Sequence, residues 1–227
     1  MPDYSLYGIT DHCYGFLTRG CPRNCDFCHV SKMQSRCSVK VADLSEFWSG
    51  QKYIVLLDPN MMACREWKDL AQQLIDSKSY VDFSQGLDLR IMNPERWEYL
   101  NRIKLKSVHF AWDRPTDDME PRFQDAAEHM HIQRGKHSVY ILTNFNSTLE
   151  QDIHRVETVK KYGFQPYVMI YNQTTAPQEL RKLKRYANNP YVCWATPTFA
   201  DYVTGTRSDR YEKTGQHREK AKKYGML

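Results

Sequence analysis

Two kinds of segment alternate along the chain, and together they predict its secondary structure. Short runs of apolar, β-branched and aromatic residues recur, and longer amphipathic segments separate them. Short continuous apolar runs are typical of parallel strands that are buried on both faces of a sheet. The predicted strands are residues 14–19, 53–58, 80–85, 107–113, 138–144 and 166–172, with a weaker seventh at 191–197.

The segments between these runs predict helices, and several carry start and stop signals. Pro94 stands where the first turn of a helix tolerates proline. Ser147 and Glu150 have the spacing of a capping box, and Gly135 and Gly163 mark predicted helix ends. The predicted helices are residues 65–77, 93–103, 116–135, 147–163 and 176–189.

Strand and helix in regular alternation predict right-handed βαβ units and a parallel sheet. Six such units are too few for a closed eight-stranded barrel. The sequence therefore predicts an α/β fold, a (βα)6 partial, open TIM-like barrel. We expect residues 1–197 to form this core domain and residues 198–227 to form a short basic C-terminal extension.

Polar side chains follow the predicted strands, at the edge where active sites of barrel-like α/β folds lie. Loops after strands also favour Asp and Asn for turn geometry alone, so each residue has this second interpretation. The candidates at this edge are Asp58, Asn60, Gln85, Asp88, Asp113, Arg114, Asn144, Asn146, Tyr171 and Asn172.

The net charge of +5 is concentrated near the C-terminus, where residues 205–227 hold seven basic against three acidic residues. Such a segment is typical of a solvated terminal helix or tail, and it also suits polyanion binding. The apolar runs are too short to span a bilayer. The N-terminus lacks a basic start followed by an apolar block, so we expect a cytoplasmic protein with no membrane association.

Cysteine spacing carries the most specific chemical signal. Three of the seven cysteines, Cys21, Cys25 and Cys28, lie within eight residues as C-x3-C-x2-C. Three thiolates suit a [4Fe–4S] cluster with one iron left free of protein. Two alternatives stay open: a zinc site completed by His29, and a structural or electron-transfer cluster with a fourth ligand elsewhere.

With Phe27 at the aromatic position, the C-x3-C-x-aromatic-C motif after the first strand resembles that of the radical S-adenosylmethionine (SAM) superfamily. The resemblance covers about residues 12–197. It implies a [4Fe–4S] cluster on the three cysteines, with the open iron chelated by SAM. It also implies a flavodoxin- or ferredoxin-like one-electron reductant, reductive cleavage of SAM, and hydrogen abstraction from a substrate by the 5′-deoxyadenosyl radical.

The resemblance also implies which residues contact SAM. Asp58, with Asn60, stands where many members carry a GGE-like segment, and Asn144 stands where glycine is usual. The implied cofactor-binding residues are Phe27, Asp58, Asn60, Gln85, Asp88, Arg90, Asp113, Asn144, Tyr171 and Asn172.

The remaining cysteines, Cys13, Cys37, Cys64 and Cys193, are expected to be small buried apolar side chains. Cys193, on the predicted seventh strand, is also a candidate hydrogen-atom donor. No catalytic residue is otherwise assigned. The expected substrate is a nucleic acid or another macromolecule. The alternative function is an iron–sulfur or zinc binding module without SAM cleavage, anchored to nucleic acid by the basic extension.

Overall fold

The computed structural model describes Pro2 and residues 7–203 and shows an α/β fold with a six-stranded sheet and flanking helices. The strands are β1 (His12–Gly15), β2 (Thr18–Arg19), β3 (Val39–Lys40), β4 (Tyr53–Leu56), β5 (Tyr80–Leu87), β6 (Leu105–Ala111), β7 (His137–Thr143) and β8 (Gln165–Ile170). The helices are α1 (Val30–Met33), α2 (Trp67–Ser77), α3 (Pro94–Arg102), α4 (Glu120–His129), α5 (Leu149–Lys161), α6 (Gln178–Ala187) and α7 (Pro190–Ala195).

The predicted alternation of strands and helices is confirmed, with local differences. The first predicted strand divides into β1 and the two-residue β2. Helix α4 ends at His129, before the predicted stop at Gly135. The capping box of α5 lies one residue later than predicted, because the side chain of Thr148 accepts a hydrogen bond from the backbone N–H of Gln151.

The predicted seventh strand is wrong, because residues 190–195 form helix α7. Pro190 occupies the first turn, and the side chain of Asn189 accepts a hydrogen bond from the backbone N–H of Val192. Both are helix-start signals that favour a helix over the β-propensity of the apolar run.

The chain divides into two compact units, and the first comprises residues 1–111 and 125–136. Here β1, β4, β5 and β6 pair in that order, and every pairing is parallel. Ile54, Val81 and Val108 are fully buried. Because the strands are parallel, their carboxyl ends share one edge and their amino ends share the opposite edge.

The second unit comprises residues 112–124 and 137–227, and helix α4 contributes to both units. Strands β7 and β8 pair in parallel from Ser138 opposite Gln165 to Thr143 opposite Ile170. Phe123 is fully buried in this unit's core.

No helix within the described residues combines the length and apolar character needed to cross a membrane. Most of the predicted basic extension, residues 204–227, lies outside the described residues.

Candidate metal and cofactor site

The three motif cysteines lie in a loop of residues 20–38, which we call the cysteine loop. It follows β2 and returns to β3, which pairs antiparallel with β2 and closes the base of the loop. Two further hydrogen bonds join the two ends of the cysteine loop. The backbone N–H of Gly20 donates to Oε1 of Gln34 at 2.8 Å, and the N–H of Cys21 donates to the carbonyl of Ser35 at 3.2 Å.

Gly20 is required at this position for two reasons. Its φ of +83° lies in the left-handed region that favours glycine. A Cβ atom here would also collide with the backbone carbonyl oxygens of Cys37 and Ser35. The close approach of two backbone segments therefore explains the glycine that precedes the first motif cysteine.

The motif cysteines are not in disulfide bonds and are half-buried. The backbone N–H of Cys28 donates to the carbonyl of Cys25 at 3.0 Å in a tight turn. The sulfur of Cys21 faces two donors, the backbone N–H of Arg23 at 3.4 Å and Nδ2 of Asn60 at 3.7 Å. Hydrogen bonds to sulfur stabilise a thiolate ligand, so the surroundings of Cys21 fit a metal-bound sulfur.

The donor chemistry, three cysteine sulfurs in one loop, fits an iron–sulfur cluster. Among the described residues, no group of three or more His, Cys, Asp or Glu side chains is positioned to hold a metal ion. His29, the candidate fourth ligand of a zinc site, is exposed.

Asp58 lies just beyond the carboxyl end of β4 and is 4% exposed. One carboxylate oxygen accepts from the N–H of Leu17 at 3.2 Å, and the other accepts from the N–H and hydroxyl of Thr18 at 2.5 and 2.6 Å. Burial raises the pKa of Asp58 to about 6, although these hydrogen bonds oppose the rise. Asp58 thus ties the chain segment before the cysteine loop to β4.

Asn60 is the candidate residue that the structure places against a motif cysteine. It is 2% exposed, and its backbone carbonyl accepts from the hydroxyl of Ser38 at 2.9 Å. Its side-chain Nδ2 faces the Cys21 sulfur, while its Oδ1 is buried without a hydrogen-bond partner among the described residues. Asn60 therefore contacts both ends of the cysteine loop.

Asp88, after β5, connects two arginines. Its carboxylate accepts from Nε of Arg23 at 2.5 Å and from Nε of Arg90 at 2.7 Å. Burial opposes ionisation, but the hydrogen bonds and charges of Arg90 and Arg23 hold the pKa of Asp88 below its ordinary value. Arg23 belongs to the cysteine loop, so this ion pair joins the loop to the end of β5. Gln85 is exposed on β5, and Phe27 is half-buried in the loop.

In the second unit, Asp113 and the carboxyl end of β7 are held by a buried arginine. Oδ1 of Asp113 accepts from the N–H of Leu142 at 3.3 Å. The guanidinium of Arg155 donates to the carbonyls of Trp112, Asp113 and Leu142 and pairs with Asp152 at 2.5 Å. These contacts fix the backbone from which Asp113 projects.

Three other candidates of the second unit, Asn144, Tyr171 and Asn172, lie in the loops that follow β7 and β8. Asn144 has a φ of +60°, and its Nδ2 donates to the carbonyl of Asn172 at 2.8 Å. Tyr171 is 56% exposed and packs on Phe145 with ring centroids 4.8 Å apart. Asparagine tolerates this left-handed conformation, so Asn144 can occupy a backbone position that favours glycine.

The remaining cysteines divide into buried and exposed residues. Cys13, Cys64 and Cys193 are buried as predicted, but Cys37 is exposed. Cys193 lies in helix α7 and is fully buried, so its predicted place on a seventh strand is wrong. Burial raises the pKa of the Cys193 thiol to about 12.

Sequence reasoning missed four residues that shape these sites, namely Thr18, Arg23, Gln34 and Arg155. Most of their partners lie far away along the chain, from 13 positions for Arg155 with Leu142 to 65 for Arg23 with Asp88, although Asp152 is only three positions from Arg155. Arg23 lies between Cys21 and Cys25, and this position inside the cysteine motif is the local signal that could have identified it. A scan against models of protein families finds no match, and no curated protein matches the sequence.

Proposed function

We propose that the protein is a radical SAM enzyme that carries a [4Fe–4S] cluster on Cys21, Cys25 and Cys28. One observation carries the proposal: a C-x3-C-x-aromatic-C motif occupies a loop that follows the first strand of a parallel α/β sheet, at its carboxyl edge. The N–H donors that face the Cys21 sulfur support it, because such donors stabilise a sulfur ligand.

The bound cluster and SAM would supply an electron transfer, a 5′-deoxyadenosyl radical and hydrogen abstraction from substrate, with a flavodoxin- or ferredoxin-like protein as reductant. The chain's own residues position these groups. The Asp88–Arg23 pair holds the start of the cysteine loop, and the Asp58 hydrogen bonds hold the segment before it, against the carboxyl edge of the sheet.

We assign SAM contacts in the first unit to Phe27, Gln85 and Arg90, with Asp58, Asn60 and Asp88 as supports. Gln85 is exposed at the irregular end of β5 and is available to a ligand. In the second unit the corresponding proposals are Asp113, Asn144, Tyr171 and Asn172. The proposal includes a (βα)6 partial barrel and a macromolecular substrate, for which a nucleic acid suits the net charge of +5.

The test compares two cysteine variants after anaerobic reconstitution with iron and sulfide. Cys28→Ala removes a proposed ligand, whereas Cys37→Ala removes an exposed cysteine of the same loop outside the motif. We expect wild type and Cys37→Ala to show the electron paramagnetic resonance signal of a reduced [4Fe–4S] cluster, and Cys28→Ala to lose it. Adding SAM should shift the signal, and reduction should release methionine and 5′-deoxyadenosine.

Other outcomes would contradict the proposal in distinct ways. A cluster signal that SAM does not alter would indicate a structural or electron-transfer cluster. Tightly bound zinc with no cluster would indicate a metal-stabilised binding module. Equal cluster loss in the Cys28→Ala and Cys37→Ala variants would remove the motif as the specific ligand set.

A further inference from the structure

A cavity open to solvent lies at the opposite edge of the first unit's sheet from the cysteine loop. Its volume is about 570 Å³, within the range of small-molecule sites. Its wall includes the first residues of β1, β4 and β5, which are His12, Tyr53 and Tyr80, together with Lys52 and Lys106.

The cavity is separate from the proposed cofactor site. The motif cysteines follow the carboxyl end of β1, whereas the cavity gathers the amino ends of the parallel strands. Strand β5 has eight residues and extends roughly 25 Å between these two edges, at about 3.3 Å per residue. A ligand in the cavity would therefore serve as an anchor and would not reach the reacting atoms.

The lining of the cavity carries excess positive charge. Lys52, Lys106 and Lys136 line it, and Asp11 is its sole acidic lining residue in the described chain. The Asp11 carboxylate lies 2.7 Å from Nδ1 of His12, and the three lysines exceed the single lining carboxylate by two charges. Among the described residues, Lys52 and Lys136 form no ion pair with a carboxylate. The cavity thus offers ammonium groups that an anion would neutralise.

Two of these ammonium groups lie near one aromatic ring. The Nζ atoms of Lys52 and Lys106 lie 5.2 and 5.5 Å from the centroid of the Tyr53 ring. Lys106 also approaches Asp82 at 3.6 Å, which limits its movement. Lys136 is held by a hydrogen bond from its Nζ to the carbonyl of Leu105 at 3.2 Å. The lysines are therefore positioned by contacts within the unit.

Aromatic rings form the other part of the lining. His12, Tyr53 and Tyr80 are directly opposite one another on adjacent strands and are half-buried. Their rings stack, with centroids 4.6 Å apart for His12 and Tyr53 and 5.6 Å apart for Tyr53 and Tyr80. Ammonium groups beside stacked aromatic rings are the combination with which proteins bind the phosphates and bases of single-stranded nucleic acids.

We propose that this cavity binds a phosphate-bearing nucleotide unit, either a free nucleotide or one nucleotide of a single strand. The lysines neutralise the phosphate, and the aromatic rings contact the base or sugar. The inference depends on the cavity alone, and it stands or falls independently of the cluster on the cysteine loop.

The test compares two double variants that remove the same charge. Lys52→Gln with Lys106→Gln alters the cavity. Lys68→Gln with Lys161→Gln removes two exposed lysines outside it, which pair with Glu95 and Glu120. The probes are a fluorescent single-stranded oligonucleotide, followed by anisotropy over a range of salt concentrations, and adenosine monophosphate and adenosine as competitors, all without SAM.

We expect the cavity variant to bind the oligonucleotide about tenfold more weakly at low salt, and its salt slope to fall by about 1.4, since each lost phosphate contact lowers it by about 0.7. The control variant should retain the wild-type slope. Lys52→Gln alone, which breaks no ion pair among the described residues, should lower the slope by about half as much.

Competition identifies the source of the nucleotide. Displacement by adenosine monophosphate but not by adenosine would indicate a free nucleotide, and no displacement by either would indicate a nucleotide within a strand. Equal losses in the two double variants would overturn the proposal, and so would a wild-type protein that binds none of the probes.

Discussion

Replacement of Asp58 by asparagine should change how the stability of the protein depends on pH. Asp58 is 4% exposed, and burial raises its pKa from the ordinary 3.8 to about 6. The folded protein therefore binds more protons at this site than the unfolded chain does between about pH 4 and pH 6. Because protonation favours the folded state there, the free energy of unfolding rises as the pH falls through 6.

The size of this effect follows from the two pKa values. The Asp58 carboxyl has a pKa of about 6 in the folded protein and 3.8 in the unfolded chain. Its protonation therefore raises the free energy of unfolding by about 1.4 kcal/mol between pH 7.5 and pH 5, and by about 3 kcal/mol in total at still lower pH. The asparagine introduced by Asp58→Asn would not titrate. Its amide would face the N–H of Leu17 or Thr18 as a second donor, a cost that does not change with pH.

The assay is urea unfolding of wild type and Asp58→Asn at pH 7.5 and pH 5, with matched iron content. Contributions from all other groups cancel in the difference between the two proteins. We expect the free energy of unfolding of Asp58→Asn to fall further below that of wild type at pH 5 than at pH 7.5, by about 1.4 kcal/mol. Asp118→Asn, at an exposed position, serves as the surface control. A destabilisation by Asp58→Asn that is the same at both pH values would refute the reasoning.

Three further predictions concern close packing, the sulfur environment and a buried ion pair. In urea unfolding, Gly135→Ala should lower the free energy of unfolding by about 1–2 kcal/mol, because alanine is strained at a φ of +86°. Gly20→Ala should lower it by about 1–3 kcal/mol more, because the new Cβ atom would also collide with backbone atoms. Equal losses in the two variants would contradict this reasoning. Asn60→Leu removes the side-chain N–H that faces the Cys21 sulfur. Loss of this hydrogen bond, worth about 1 kcal/mol, should lower the reduction potential of the reconstituted cluster by tens of millivolts in a redox titration. An unchanged potential would exclude a role of Asn60 in tuning the cluster. Arg155→Met should cost about 3–5 kcal/mol because it leaves Asp152 buried and unpaired, and Asp152→Asn in the same chain should recover part of this loss in the same assay.

The fold class could be predicted because its signals are local. Continuous apolar runs gave each of the six parallel strands, and they also gave one false strand at residues 191–197. There, Asn189 and Pro190 start a helix, and these two residues outweigh the β-propensity of the valine and aromatic residues that follow. Where a capping signal and a propensity signal conflict in a short segment, the hydrogen bond to the first turn determines the structure.

The candidate site could be predicted in part, since residue types indicate chemistry but not partners. Cys21 and Asn60 were both singled out, but nothing in the sequence predicted that the asparagine amide would face the cysteine sulfur. Asp88 was a candidate ligand contact, and its carboxylate instead carries two ion pairs with arginines 65 and 2 positions away. The pairing of Asp88 with Arg23 depends on strand order and register, which local patterns do not specify.

The contacts of the cysteine loop determine which part of it can adjust when a metal binds. Its base is held by the β2–β3 pairing, and Asn60 and Asp88 hold Cys21 and Arg23 from neighbouring strand ends. Cys28, by contrast, makes local contacts, with its N–H on the carbonyl of Cys25 and its carbonyl accepting from the Ser31 hydroxyl at 3.4 Å. Rotation of the backbone torsions between Cys25 and Cys28 can therefore shift Cys28 while the contacts of Cys21 and Arg23 stay intact. Metal loading should on this reasoning change hydrogen exchange within residues 24–33 and leave β2, β3 and the turn after β5 unchanged.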